Sequence, residues 1–410
     1  MTAERTSRRL ARPGPLAGVR VIELAAMVSG PLATSILADQ GADVIKVEAP
    51  GVGDGIRLMG SSRGGMSAIF NTVNRSKRSV VVDLRKPEGR DLVQRLADGA
   101  DVFVQNFRPG AVETLGLGEG ELRRRNPGLI YVSISGFGRR GPYASHTAYD
   151  IVIQALSGMA ALQGDDPTGE SGVPTFMRTV VCDKITAVHA AQAISAALLA
   201  RERGAGGQHI EVSLLDASVA FVWPDGMETH TYVGEGVTAP ATMWGLVGIH
   251  QTRDGWMTFL AINDEEFRGL CAALDGPELA ADERFVTLDG RLQHSGALMA
   301  IIRAALAIEP TDALCERLRR EGVPCAPVLA PEAVADDEQV RAVELIVEID
   351  HPVAGRVRMP RAVARFGGTP LGGLAPAPAL GQDTDEILAE LGLSPAEIGA
   401  LRRNGVVGQR

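Results

Sequence analysis

Between Gly18 and Ser135 the chain alternates short β-branched runs with helical patterns, and this rhythm constrains the fold more than any other feature. GVRVIEL, from Gly18, reads as a strand and AAMVSG as a loop; Pro31 sits where a first helical residue would be, before LATSILADQ. Gly41 closes that helix, and DVIKVEAPG supplies the next strand. The unit recurs as strand SVVVDL (Ser79 to Leu84), helix PEGRDLVQRLADG from Pro87, and strand DVFVQNF (Asp101 to Phe107), with LIYVSIS (Leu129 to Ser135) as a further strand. Strands alternating with helices predict a parallel, doubly wound sheet in an α/β fold. No GxGxxG follows the first strand, where the chain reads Val28-Ser29-Gly30-Pro31. The dinucleotide fingerprint is therefore missing, and the expected binding place is the crevice beyond the carboxyl ends of the strands.

At 410 residues the chain exceeds one ordinary core and calls for two domains. The βαβ rhythm lapses after Ser213, and strand-like Gly255 to Ile262 is followed by helical runs at 265–274, 297–306 and 311–320. A large domain over 15–225 and 330–410 and a smaller α+β domain over 226–329 are expected. Residues 1–14 read as a disordered Arg-rich tail, without the apolar core of a signal peptide or membrane span. A net charge of −9 suggests no nucleic-acid partner. Cys182, Cys271, Cys315 and Cys325 are far apart and form no CxxC or Cys/His ligand pattern. They read as reduced thiols of a cytoplasmic protein with no metal.

Asp183 opens about twenty residues of Ala-rich helical pattern that stop before Gly204 to Gly207, ahead of the strand His209 to Ser213. An acid in a first turn caps the helix or is kept ionised by the dipole, which suits a carboxylate nucleophile. Asn106, Phe107 and Arg108 precede a Pro-Gly turn at a strand end, where an amide, an aromatic face and a guanidinium suit a purine and a phosphate. Lys77 and Arg78, in the basic run before the third strand, read as a solvated loop or as a phosphate clamp.

Taken together, PLAGVRVIEL, SGPLAT, LADQGADVIKVEAPGVGD, NRSKRSVVVDL, QNFRPGAVETLGLG, YDIVIQALSG, the D-x-x-x-A helix at Asp183, GQHIEVSLLDA and ALGQDTDEIL resemble the class III CoA-transferases over Pro15 to Val407. That group includes the formyl-CoA and carnitine CoA-transferases and the α-methylacyl-CoA racemases. The resemblance implies a Rossmann-like large domain, an interlocked ring-like homodimer, and coenzyme A thioester as substrate with no further cofactor. It implies transfer of CoA from an acyl-CoA to a free carboxylic acid, with Asp183 forming an acyl anhydride and then a CoA thioester. A carboxylate is ionised at neutral pH and needs no serine–histidine activation.

The alternatives within and beyond the family are a racemase and a non-catalytic CoA-binding protein. In the racemases a histidine and a glutamate move the α-proton; the matching positions here are Tyr149 and Asn263, neither a competent base at neutral pH. The substrate glutamine of the formyl-CoA transferases falls at Val28 and a CoA-contacting arginine at Thr114, which disfavours formyl and oxalate groups. By the resemblance, Asn106, Phe107, Lys77 and Arg78 match CoA-contacting positions, and Tyr149 and Asp150 are expected either to border the acyl pocket or to serve a structural role.

Overall fold

The computed structural model describes residues 12–164, 172–238 and 243–408. The chain divides into two compact units: Met1–Ala160, Phe176–Gly226 and Glu344–Arg410 form the larger, Ala161–Thr175 and Met227–Val343 the smaller. The smaller unit thus reaches beyond the expected 226–329. Most of the expected tail, residues 1–11, lies outside the described residues.

The larger unit is built on a six-stranded sheet: β1 (Arg20–Leu24), β2 (Asp43–Glu48), β3 (Arg78–Val81), β4 (Val102–Gln105), β5 (Ile130–Ser135) and β6 (His209–Ser213). All neighbours pair in parallel, in the order β3-β2-β1-β4-β5-β6. The order reverses at β1, so the loops after β1 and β4 diverge and leave a crevice at their carboxyl ends. The first three strands are buried throughout, as continuous Val/Ile-rich runs in a covered parallel sheet should be. Helix α1 (Ser29–Asp39) links β1 to β2, and α2 (Pro87–Asp98) links β3 to β4. Pro31 is the third residue of α1 rather than the first. Helix α3 (Asp150–Leu156), the long α4 (Val181–Ala200) and α5 (Leu214–Gly226) pack on one another, and α4 also lies along α1. A π-helical turn, Arg201–Ala205, extends α4 until Gly204, at φ 94°, ends it.

The smaller unit has an antiparallel three-stranded sheet, β7 (His250–Gln251), β8 (Trp256–Phe259) and β9 (Cys325–Pro327). Helices α6 (Asp264–Ala273), α7 (Ser295–Ala307) and α8 (Thr311–Arg320) enclose with it a separate core around Met257, Phe267, Ile302 and Leu314. The chain then returns to the larger unit through a hairpin, β10 (Ile346–His351) and β11 (Gly355–Pro360), and helices α9 (Thr384–Glu390) and α10 (Pro395–Arg403).

Two internal charge clusters hold the sheet. Glu23, fully buried, accepts from Lys46 Nζ at 2.6 Å, Lys77 Nζ at 2.7 Å and Thr34 Oγ1 at 2.5 Å, and Lys46 also meets Asp54 at 2.9 Å. Two carboxylates thus meet two ammonium groups. Burial alone would raise the Glu23 pKa, but Lys46 and Lys77 outweigh it and hold the group at about 2. At the other end of the strands Arg20 and Arg78 share Asp43 and Glu390, with Arg78 at 2.7 and 2.6 Å respectively. Lys77 and Arg78 are therefore not a phosphate clamp in this structure. Lys77 is spent on Glu23, Asn74 Oδ1 and the carbonyls of Pro31 and Val73, and Arg78 ties β3 to β2 and α9.

Candidate active site

Asp183 lies in the first turn of α4, but it does not cap that helix: Val180 occupies the N-cap position, without a side-chain bond. The Asp183 carboxylate instead lies near the start of α1, which packs along α4, and there the Ser29 hydroxyl and N–H favour its ionised form. Its backbone N–H donates to Asp150 Oδ2 at 3.0 Å. The buried Asp150 is fixed in turn by Gln154 Nε2, 2.6 Å from Oδ1. Gln154 also grips the segment that leads into α4, accepting from Met177 N–H at 3.0 Å and donating to the Thr179 carbonyl at 3.2 Å. The short helix α3 therefore sets the entry of α4 and the position of its acid.

Burial, and next the charge of Asp150, raise the Asp183 pKa to about 6, with Ser29 pulling the other way. The helix dipole was expected to favour ionisation; desolvation and a like charge outweigh it. The group is still largely ionised at neutral pH, and a more basic carboxylate is a better nucleophile. Neighbouring Cys182 is buried, and burial pushes its thiol up to about 11. It is an inert core thiol.

The loop that presents Ser29 is pinned from three sides. Asn106 Oδ1 accepts from Ala26 N–H at 2.9 Å and Asn106 Nδ2 donates to the Ala26 carbonyl at 2.7 Å. Lys46 Nζ donates to the Ala25 carbonyl at 2.8 Å, and Asp54 Oδ1 accepts from Met27 N–H at 3.0 Å. Met27 is held at φ 66°, a left-handed conformation that a non-glycine residue adopts only under such constraint. The Asn106 side chain, anticipated as a CoA contact, spends its amide on this loop.

Two cavities open at the carboxyl ends of the strands. One, of about 470 Å³, is lined mainly by apolar groups of Leu24, Ala25, Ala26, Val47, Pro50, Leu84, Phe107 and Leu115, with Glu48, Asp54, Asp83 and Arg85 among them. The other, of about 290 Å³, is more polar and lies between Gln105, Ser133, Phe137, Arg139, Arg140, Glu211 and Asp216. Phe107, 37% exposed, borders both. Arg108 is exposed on the turn after it. Arg85, whose side chain is 86% exposed, forms an ion pair with Asp83 at the rim of the larger cavity. Sequence reasoning passed over Arg85, although its place just beyond a strand end is the signal it applied to Arg108. Tyr149 is 65% exposed and immediately precedes α3. Asn263 is committed to the start of α6: its Oδ1 accepts from Glu266 N–H at 2.8 Å in a reciprocal capping box. Among the described residues no cluster of three or more His, Cys, Asp or Glu could hold a metal, and no helix is long and apolar enough to cross a membrane.

A central parallel sheet with a carboxylate poised between two helix starts and an apolar crevice at the strand ends suits acyl or group transfer through an acid. The chain belongs to the CoA-transferase family III, whose family model matches residues 16–384. It is an enzyme of the CoA-transferase class. Among its relatives, a succinate–glutarate CoA-transferase of Agrobacterium fabrum is 37% identical over 93% of this chain and 96% of its own. A succinyl-CoA–D-citramalate CoA-transferase of Chloroflexus aurantiacus is 35% identical over 96% of this chain and 98% of its own. In structure the chain resembles a CAIB/BAIF family protein from Brucella suis, with a TM-score of 0.81 and 33% identity over 93% of this chain and 100% of that one.

Proposed function

We propose that this enzyme moves CoA between an acyl-CoA and a dicarboxylic acid of four or five carbons, with Asp183 as the nucleophile. The observation that carries the mechanism is the Asp183 carboxylate itself, partly buried, raised to about 6 and held at the start of α1. Asp183 attacks the thioester carbonyl, the C–S bond breaks, and an aspartyl-acyl anhydride forms. The thiolate adds to the aspartyl carbonyl, the anhydride C–O bond breaks, and the first acid departs. The acceptor carboxylate then reverses both steps on the enzyme thioester. The dicarboxylate class is supported by the substrates that the relatives' names carry, and by Val28, which offers no polar group to a formyl or oxalate.

The larger cavity suits the adenine and pantetheine of CoA: apolar walls, Phe107 for stacking, and exposed Arg85 and Arg108 for phosphates. It lies at the point where a sheet of 3-2-1-4-5-6 order reverses, which supports a Rossmann-like description. A homodimer belongs to the same reading. Helices α3, α4 and α5 pack together yet leave Ile151, Leu156, Val188, Leu199, Phe221 and Trp223 exposed, more apolar surface than an isolated chain usually carries. Sedimentation of the purified protein as a monomer at micromolar concentration would remove that part. A reducing, cytoplasmic setting is supported by four free thiols.

The decisive experiment combines Asp183→Ala with trapping. The variant is expected to lose CoA transfer from succinyl-CoA to glutarate, and hydroxylamine or borohydride should mark the peptide containing Asp183 in the unaltered enzyme. Full activity of the alanine variant would sink the mechanism. Activity with formate or oxalate alone would overturn the substrate class.

A further inference from the structure

The donors that a tetrahedral intermediate at Asp183 requires are legible at the start of α1. An α-helix leaves its first N–H groups without intrahelical acceptors. In α1 the first turn closes with Leu32 N–H bonded to the Val28 carbonyl at 2.8 Å. Pro31 has no N–H, so the free donors are those of Ser29 and Gly30. The residue at the N-cap is Val28, which has no side-chain acceptor to offer. The nearby Asp183 carboxylate on α4 is the acid whose ionised form Ser29 favours.

We propose that Ser29 is an oxyanion donor of this enzyme: its backbone N–H and hydroxyl hold the charge that collects on the Asp183 carbonyl oxygen when the CoA thiolate adds. The proposal rests on the reading of Asp183 as nucleophile. In that step a C–S bond forms to the aspartyl carbonyl carbon, and its π pair moves onto the oxygen facing Ser29. When the pair returns, the C–O bond to the acyl group breaks and the acid leaves as its carboxylate. No proton has to move, so donors without basicity suffice.

Three observations besides the contact itself bear on the assignment. Ser29 is only 4% exposed, so water does not compete for its donors. The loop before it is locked by Asn106, Lys46 and Asp54, with Met27 in its left-handed conformation. Donors fixed in this way need no reorganisation as charge develops. Gly30 also has to be glycine, because a Cβ there would lie 2.5 Å from Ala25 Cβ. That close approach brings the start of α1 back against its own loop.

The test uses the full-length enzyme with Ser29→Ala, Ser29→Gly and Ser29→Thr. Alanine and glycine delete the hydroxyl and keep the N–H, so one folded variant of the two suffices. Removing one donor of this kind typically costs about 10²-fold in kcat. We expect a fall of that order with KM for the acyl-CoA within about twofold, and threonine restoring most of the rate. The acid limb of the kcat/KM profile should also move to higher pH, since a bond that favours the ionised acid is lost. A structural role alone would not move that limb. Retention of kcat within about threefold, or a loss with the acid limb unmoved and no rescue by threonine, would overturn the proposal. If hydroxylamine marks Asp183 while the Ser29 variants behave like the parent, only Ser29 falls; if Asp183 is not marked, the nucleophile reading falls with it.

Discussion

At the residue scale the site turns on a conflict between ionising and burying one acid. Raising a carboxyl from 3.8 to about 6 disfavours its charged form in the folded protein by roughly 3 kcal/mol. Because the folded-state pKa exceeds the unfolded one, the folded protein holds more protons between the two values. Asp183 therefore costs stability above about pH 6, and the cost fades as pH falls towards 4. Asp183→Asn should then stabilise the protein at pH 8 by about 1–2 kcal/mol, less than the full figure because the group is partly exposed, and change little near pH 4. Urea denaturation at the two pH values reads this directly; an equal effect at both would show that the carboxyl is not strained by burial. The sequence marks Asp183 only through family resemblance, because an acid in a helical first turn looks the same whether it caps its own helix or faces another. Lys77 and Arg78 were misread for a related reason. A basic run before a strand does not reveal its partners, and Glu23 and Asp43 lie 54 and 35 residues away.

At the scale of elements the alternating rhythm located all six strands of the parallel sheet and most of its helices. It did not give their order, which depends on pairings such as Glu23 opposite Lys46 that no local pattern encodes. Nor did it show the hairpin β10–β11, whose apolar face, Val347 and Ile349 paired with Met359 and Val357, is interrupted in sequence by Glu348, Asp350, Arg356 and Arg358. The Glu23–Lys46–Lys77–Asp54 cluster is the element-level device that matters for the site, since Lys46 and Asp54 also hold the loop that carries Ser29. Removing one ion from such a cluster leaves a buried charge without its full counter-charge, at a cost of about 3–5 kcal/mol. Lys77→Met is expected to lose stability of about that order while KM for the acyl-CoA in the folded fraction stays unchanged. A raised KM with unimpaired stability would return Lys77 to the phosphate role.

At the scale of the whole molecule the two units have separate cores, and a buried histidine gives the smaller one a response to mild acid, above the range in which its carboxylates titrate. His250, on β7, is 3% exposed with its ring 5.1 Å from that of Phe259. Both ring nitrogens are buried without a hydrogen-bond partner. Burial, with Arg303 on α7 adding to it, lowers the pKa below the usual 6.5, and no carboxylate opposes this. The ring is thus neutral in the folded unit, whereas the unfolded chain takes up a proton below pH 6.5. Stability of this unit must therefore fall as pH drops through that value, and level off only below the lower folded-state pKa. His250→Phe keeps an aromatic ring beside Phe259 and deletes the titration. Hydrogen exchange, corrected for intrinsic rates, reads the opening free energy of β7, β8 and α7 apart from that of the parallel sheet. Between pH 8 and pH 5.5 the parent should lose about 1 kcal/mol there and the phenylalanine variant almost none, with β1 to β6 unaffected by the substitution. If the variant lost as much as the parent, the acid response would belong to other groups and His250 would be a packed ring and nothing more.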